Sequence, residues 1–321
     1  MSPFFVSIHM KRLSRILAIL ILFPVGLSAV GGWFAGPMFL HPIKRQLTAN
    51  LIHEADESFK HTRGTRADFV VRAPDGAILR GWKVRADKPN GSWVLLFHGV
   101  SDNRIGVIGQ SEFLLQNGYC VVMMDARSHG DSEGPIATYG WLERKDASAV
   151  IDALELAERP QHLFALGESM GAGIALQSAG ADPRIEAVIA EASFANLQEA
   201  AYDYAGLRQY PWLGKTLFAP GAWLMLYRGE RLAGFPAAEV SSEKSVAQRA
   251  FPVLIICDAE DHALPCRHSE MIFRAARGPK EFWRVPRAYH TAALGYEPDE
   301  FRKRVLGFFD RLRNNQPAAA N

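Results

Sequence analysis

Cysteine is scarce, with only three in 321 residues: Cys120, Cys257 and Cys266. Three are too few for a disulfide framework, and no CxxC or Cys/His spacing suits a metal. No metal or other cofactor is therefore expected. Charge of one sign is also missing. Thirty-six Lys and Arg balance 34 Asp and Glu to a net +2. No basic stripe is interleaved with aromatics, so nucleic acid is not an expected partner. Internal repeats are absent, and low complexity is confined to the Ala-rich tail after Asn315. Cys120 and Cys257 lie in or at the ends of apolar runs and read as buried small hydrophobes. A Cys257–Cys266 bridge outside the cytoplasm stays open.

Charge is wholly absent from Ile16 to Leu40. About 20 apolar residues cross a bilayer core as a helix. Lys11, Arg12 and Arg15 precede the run, and Trp33 and Phe34 suit an interface. We therefore expect residues 1–15 to be a cytoplasmic segment and 16–40 a transmembrane anchor, with the rest of the chain outside the cytoplasm. Lys44 and Arg45, just after the run, oppose that orientation. Two rivals are a cleaved signal peptide, with Gly26 and Ser28 as a weak small-x-small site, and a buried helix.

Residues 41–65 read as a helical connector. A hairpin follows, Asp68–Arg72 and Ala77–Val84 about Pro74-Asp75-Gly76. Apolar strand runs then alternate with helical stretches. The strands are Trp93–Phe97, Tyr119–Met124, Leu163–Leu166, Ile185–Ala190, Pro252–Cys257 and Glu281–Val285. The helices are Ile105–Asn117, Tyr139–Glu158, Met170–Ala179, Arg267–Ala276 and Pro298–Arg313. This alternation predicts an α/β domain over 66–314, with a mostly parallel sheet and helices on both faces. The stretch 194–250 breaks the rhythm and is rich in aromatics, among them Tyr204, Trp212, Trp223 and Phe235. It reads as a small helical insertion over one end of the sheet, its aromatics forming either an acyl pocket or its own core. Residues 315–321 are expected to be a disordered tail.

Gly167-Glu168-Ser169-Met170-Gly171 is a G-x-S-x-G pentapeptide, weak alone. Here it follows a strand directly and opens a helix of small residues, the strand–turn–helix setting in which a serine hydroxyl is held up on a sharp turn. The spacing is not a phosphate-binding pattern. A serine hydroxyl needs a base, and the base needs an orienting carboxylate. Asp261 and His290 each follow an apolar strand, in the chain order Ser, acid, His. Both stand beyond carboxyl ends of strands, where open α/β sheets carry their sites. Asp258, Glu260, His262 and His268 are competitors. An oxyanion would need backbone N–H donors. Met170, after the serine, and Val100, in the loop after Phe97, are the candidates.

With these pieces in place, the chain resembles the α/β-hydrolase superfamily, and especially its membrane-anchored serine hydrolases. The matching segments are "LLFHGVSDNR", "GYCVVMMDARSHGDSEG", "TYGWLERKDASAVIDAL", "LGESMGAGIAL", "FPVLIICDAEDHALP" and "AYHTAAL". The resemblance implies an α/β-hydrolase fold with a lid insertion, Ser169 as nucleophile, Asp261 as acid, His290 as base, and Val100 and Met170 as oxyanion donors. It gives Asp125, Arg127 and Gly130 a structural loop role. The chain departs from the pattern at Ser128, where glycine is usual, and at Cys257-Asp258, where His-Gly is usual. The expected activity is cleavage of carboxylic esters or thioesters of small-molecule or lipid acyl substrates. Serine peptidase chemistry and a catalytically silent, membrane-tethered interaction module are the alternatives.

Overall fold

The computed structural model describes residues 3–314, with side chains from Met10 onward. The tail expected at 315–321 lies outside the described residues. Eight strands form one sheet: β1 (Thr65–Arg72), β2 (Ile78–Arg85), β3 (Ser92–Phe97), β4 (Cys120–Met124), β5 (His162–Glu168), β6 (Ala187–Glu191), β7 (Val253–Asp258) and β8 (Lys280–Val285). Their order is β1-β2-β4-β3-β5-β6-β7-β8. β2 pairs antiparallel with both β1 and β4, and every other pair is parallel. The hairpin thus supplies the antiparallel edge, as its turn residues imply.

The described residues also form twelve α-helices: α1 (Pro3–Leu40), α2 (Ala49–His61), α3 (Ile108–Gln116), α4 (Glu143–Glu158), α5 (Met170–Ala181), α6 (Leu197–Ala205), α7 (Pro211–Lys215), α8 (Ala219–Ala233), α9 (Ser242–Gln248), α10 (Arg267–Ala275), α11 (Ala293–Tyr296) and α12 (Pro298–Arg313). The central strands have no solvent face. Val188, Ile189 and Ala190 of β6 and Val253 to Ile256 of β7 are fully buried. That is why they read as unbroken apolar runs rather than as alternation.

The chain divides into two compact units. The larger takes Leu40–Leu197 and the described residues from Ala238 on, and the smaller takes α1 to Phe39 with Gln198–Ala237. The segment that leaves the sheet unit is therefore narrower than 194–250. The reason lies in its ends. Leu197 N–H bonds the Val240 carbonyl, and Asn196 bridges Ser241. Helix α9 packs on α5 in the sheet unit.

Within the smaller unit α1 crosses α8 at glycines. A Cβ on Gly32 would come within 2.6 Å of the Gly221 carbonyl carbon, so only glycine permits this approach. Ser28 Oγ donates to the Phe218 carbonyl at 3.1 Å, and Arg228 donates to the Trp33 carbonyl at 2.7 Å. Met10–Leu40 is long and apolar enough to cross a membrane, and no residue of its most apolar window is buried. The helix begins before Ile16 and passes through Pro24 and Pro37.

Two further differences from the sequence reading have local causes. Helix α4 starts at Glu143 rather than Tyr139, because Tyr139 and Gly140 take left-handed φ of 55° and 121°. The Glu143 carboxylate ties that turn, accepting from Thr138 N–H, Thr138 Oγ and Gly140 N–H at 2.6–2.8 Å. Cys120 is a free buried thiol, but Cys257 and Cys266 form a disulfide with a Cα–Cα distance of 5.3 Å. Cys257 is buried as expected, yet it is a cross-link rather than a small hydrophobe.

Candidate active site

β5 ends at Glu168, and the chain turns into α5 through a single residue. That residue is Ser169, with φ 54° and ψ −119°. A non-glycine residue at positive φ stores strain and needs surroundings that hold it. Two contacts do so. Ser169 N–H donates to the Glu191 carbonyl at 2.9 Å, and its own carbonyl accepts from Gly173 N–H at 3.2 Å. Glycine is required on both sides. A Cβ on Gly167 would strike the backbone of Gly171 and Ala172, and one on Gly171 would strike the Phe97 and His98 carbonyls. The pentapeptide's glycines thus let β5, β3 and α5 meet.

Ser169 is 6% exposed. His290, in the loop after β8, brings Nε2 to 2.8 Å from Ser169 Oγ. Its Nδ1 lies 2.6 Å from Asp261 Oδ2. The other Asp261 oxygen accepts from Ala263 and Leu264 N–H at 2.7 and 2.9 Å. Asp261 is thereby fixed in the loop after β7, while the His290 side chain keeps 30% exposure. The structure brings these three predicted residues into one line of hydrogen bonds from residues 121 and 29 positions apart.

The two backbone candidates stand beside Ser169. Met170 opens α5, and the first N–H groups of a helix have no partner within it. Val100 follows Gly99, where an added Cβ would sit 3.6 Å from Ser169 Cβ. The competitors are elsewhere. Glu260 and His262 are exposed, and His268 is buried with Nδ1 accepting from Ala195 N–H at 3.2 Å. Asp258 is buried and accepts from Thr291 N–H at 2.8 Å, so it grips the His290 loop backbone rather than the imidazole.

The loop after β4 is held by ion pairs. Asp125 takes Arg104 side-on and accepts from Asp131 N–H. Arg127 makes a two-pronged pair with Asp146 at 2.7 Å and reaches Asp75. Ser128, standing where the family uses glycine, takes the left-handed φ of 60° that glycine would favour.

The burial of carboxyl groups at this end of the sheet escaped sequence reasoning. Glu168, Glu191 and Asp258 are the last residues of β5, β6 and β7. Burial, then the negative charge of Asp102, pushes the Glu168 carboxyl up to about 8. Burial pushes Asp258 up to about 7. Burial, then the charges of Asp258 and Glu168, holds Glu191 well above the usual carboxylate range. The available signal was a glutamate or aspartate closing each of three adjacent apolar runs. Among the described residues no group of three or more His, Cys, Asp or Glu is placed to hold a metal ion.

The family model described as serine aminopeptidase, S33, matches residues 88–223. YqkD of Bacillus subtilis is 28% identical over 267 residues, covering 82% of this chain and 85% of that protein. A thermostable monoacylglycerol lipase of a Bacillus species (strain H-257) is 26% identical over 229 residues, covering 67% of this chain and 89% of the lipase. An esterase of Pyrococcus furiosus shares the fold with a TM-score of 0.67 at 20% identity, over 85% of this chain and 98% of the esterase. A hydrolase from Pseudomonas aeruginosa superposes with a TM-score of 0.56 at 24% identity, over 75% and 98%. By its fold this chain is like these α/β-hydrolases, and in sequence it is similar to the serine aminopeptidase, S33, family over residues 88–223 and to a monoacylglycerol lipase.

Proposed function

We propose that Ser169, His290 and Asp261 are nucleophile, base and orienting acid of an esterase that forms an acyl-enzyme. The line of hydrogen bonds from Asp261 through His290 to Ser169, 2.6 and 2.8 Å long, carries this reading. His290 Nε2 takes the Ser169 proton as Oγ attacks the ester carbonyl. The Val100 and Met170 N–H groups receive the oxyanion. The alcohol leaves with the proton from His290, and a water, activated by the same imidazole, releases the acid. Asp261 holds the imidazole tautomer and stabilises its cation, its second oxygen being occupied by backbone N–H groups. Thioesters follow the same course with a thiol as leaving group. Peptide hydrolysis is a second reading, favoured by the aminopeptidase description of the matching family.

For the substrate we propose an ester with a lipid acyl chain. Supporting it, the smaller unit contains an apolar groove of about 500 Å³ between α1 and Gln198–Ala237, lined by Leu27, Gly31, Ala35, Ala205, Phe218 and Met225 among others. Trp212 and Trp223 of the same unit are 63% and 60% exposed, so these two aromatics are not part of a core of the insertion. We further propose that α1 is an uncleaved anchor with the sheet unit outside the cytoplasm. Ser28 Oγ bonds the carbonyl of Phe218, the N-cap of α8, a contact that cleavage after Ser28 would remove. The Cys257–Cys266 disulfide suits an oxidising compartment.

The test is an acyl-length series of p-nitrophenyl esters and monoacylglycerols, beside aminoacyl-amide substrates, with the Ser169→Ala protein as control. Activity rising with chain length supports the lipid reading. A preference for amides overturns it in favour of the peptidase.

A further inference from the structure

Glu191 and Asp258 each touch two of the segments that carry the proposed chemistry. The Glu191 carbonyl accepts from Ser169 N–H, and its carboxylate Oε1 accepts from Ala293 N–H at 2.9 Å. The Asp258 carbonyl accepts from Asp261 N–H at 3.1 Å, and its carboxylate Oδ2 accepts from Thr291 N–H at 2.8 Å. The two side chains therefore clasp residues 291–293, immediately after His290. Thr291 itself sits at a left-handed φ of 55°, a conformation that needs such holding.

The remaining oxygens, Glu191 Oε2 and Asp258 Oδ1, are buried and accept no hydrogen bond from the protein. Glu191 is opposite Ile256 in the β6–β7 register, and Asp258 lies two residues further along, on the same face. The two residues are each 1% exposed. Two ionised carboxylates buried on one face without a cation are strongly disfavoured, so the pair is held with a proton on one of its members.

We propose that Glu191 and Asp258 are positioning residues for His290, a buried carboxyl pair that fixes the backbone of residues 291–293. The inference rests on the reading of Ser169, His290 and Asp261 given above. The charged and titratable groups that face the pair are Glu168 from β5, with Asp102 behind it, and Asp261 and His290 from the two loops. All of them except His290 are acidic. Loss of the pair's proton therefore sets carboxylates against each other and loosens the grip on the loop. Activity should fall on the alkaline side for this reason.

The test measures kcat and KM for ester hydrolysis from pH 5 to 10 on the full chain in detergent, for wild type, Asp258→Ala, Asp258→Asn and Glu191→Gln. An asparagine accepts from Thr291 N–H without a proton to lose. Misplacing a catalytic group by about 1 Å costs about 10²-fold. Asp258→Ala should thus lower kcat by about 10²-fold with KM changed less than about threefold, and Asp258→Asn should restore about tenfold of that loss. In Asp258→Asn and Glu191→Gln the alkaline fall should move to higher pH. The proposal is overturned if Asp258→Ala matches wild type, or if alanine and asparagine are equally impaired with the alkaline fall unmoved. Failure of the underlying site reading is separate: turnover retained by Ser169→Ala would reveal it, whatever the Asp258 variants do.

Discussion

In the sheet unit, Val188–Ala190 and Val253–Ile256 are sealed from solvent, and polar side chains at the strand ends are tied to backbone N–H groups. The smaller unit inverts this pattern. Leu207, Trp212, Trp223 and Leu232 stand more than half exposed, as do Leu17, Leu20 and Phe23 of α1. Contiguous exposed apolar surface marks a place for a partner or a membrane. The contrast separates two tasks. Rigid, satisfied surroundings suit groups that must be held within tenths of an ångström for chemistry. Open apolar surface suits contact with a loosely ordered apolar phase, and among the described residues most of the large exposed apolar side chains belong to the smaller unit, which does not carry Ser169, Asp261 or His290.

The comparison breaks most readily in the sheet unit. Ser169→Ala should lower ester turnover by about 10⁶-fold, the scale seen when a serine nucleophile is removed. Asp261→Asn should lower kcat by about 10⁴-fold by favouring the wrong imidazole tautomer. Equal loss in an Asp258→Asn protein would mean that the acid had been assigned to the wrong residue. Changes in the smaller unit should act on substrate presentation. Replacing Trp212 and Trp223 together by serine should lower activity on monoacylglycerol in phosphatidylcholine vesicles about tenfold, equivalent to about 1.4 kcal/mol. Short soluble esters should lose less than about threefold. A uniform loss on both substrates would erase the proposed division of tasks.

Stability effects are smaller and belong to the sheet unit. Cys257→Ser should destabilise it by about 2–3 kcal/mol, the range for closing a short loop, read as a lower melting temperature. The buried carboxyls give a pH signature. Their folded-state values, about 7 for Asp258 and about 8 for Glu168, lie above those of the unfolded chain. The native state therefore binds more protons, and stability falls as pH rises from about 4 to about 8. Asp258→Asn should flatten the lower part of that fall, a difference that melting curves between pH 4 and 8 would resolve.

Much of this was legible in the residues. Strands β3, β6 and β7 announce themselves as apolar runs because both faces are covered. Ser169 is marked by the glycines its turn demands, and Asp261 and His290 by chain order and by their place after strands. The disulfide was not legible, since nine residues of separation do not fix where two Cβ atoms point. Nor were the roles of Glu168, Glu191 and Asp258. An acid at the end of an apolar run reads as the point where the strand meets water, and only the fold reveals that the next loops bury it. The start of α4 was misplaced for a similar reason. Glu143 looks like ordinary helix polarity until its carboxylate is seen closing the turn before it.

Fluorophosphonate labelling of the full chain in detergent, followed by peptide mass spectrometry, tests the central claim most directly. The account predicts one adduct on the peptide containing Ser169, absent from Ser169→Ala and strongly reduced in His290→Ala. An adduct that persists in Ser169→Ala, or a wild-type chain that is folded yet unlabelled, would contradict it.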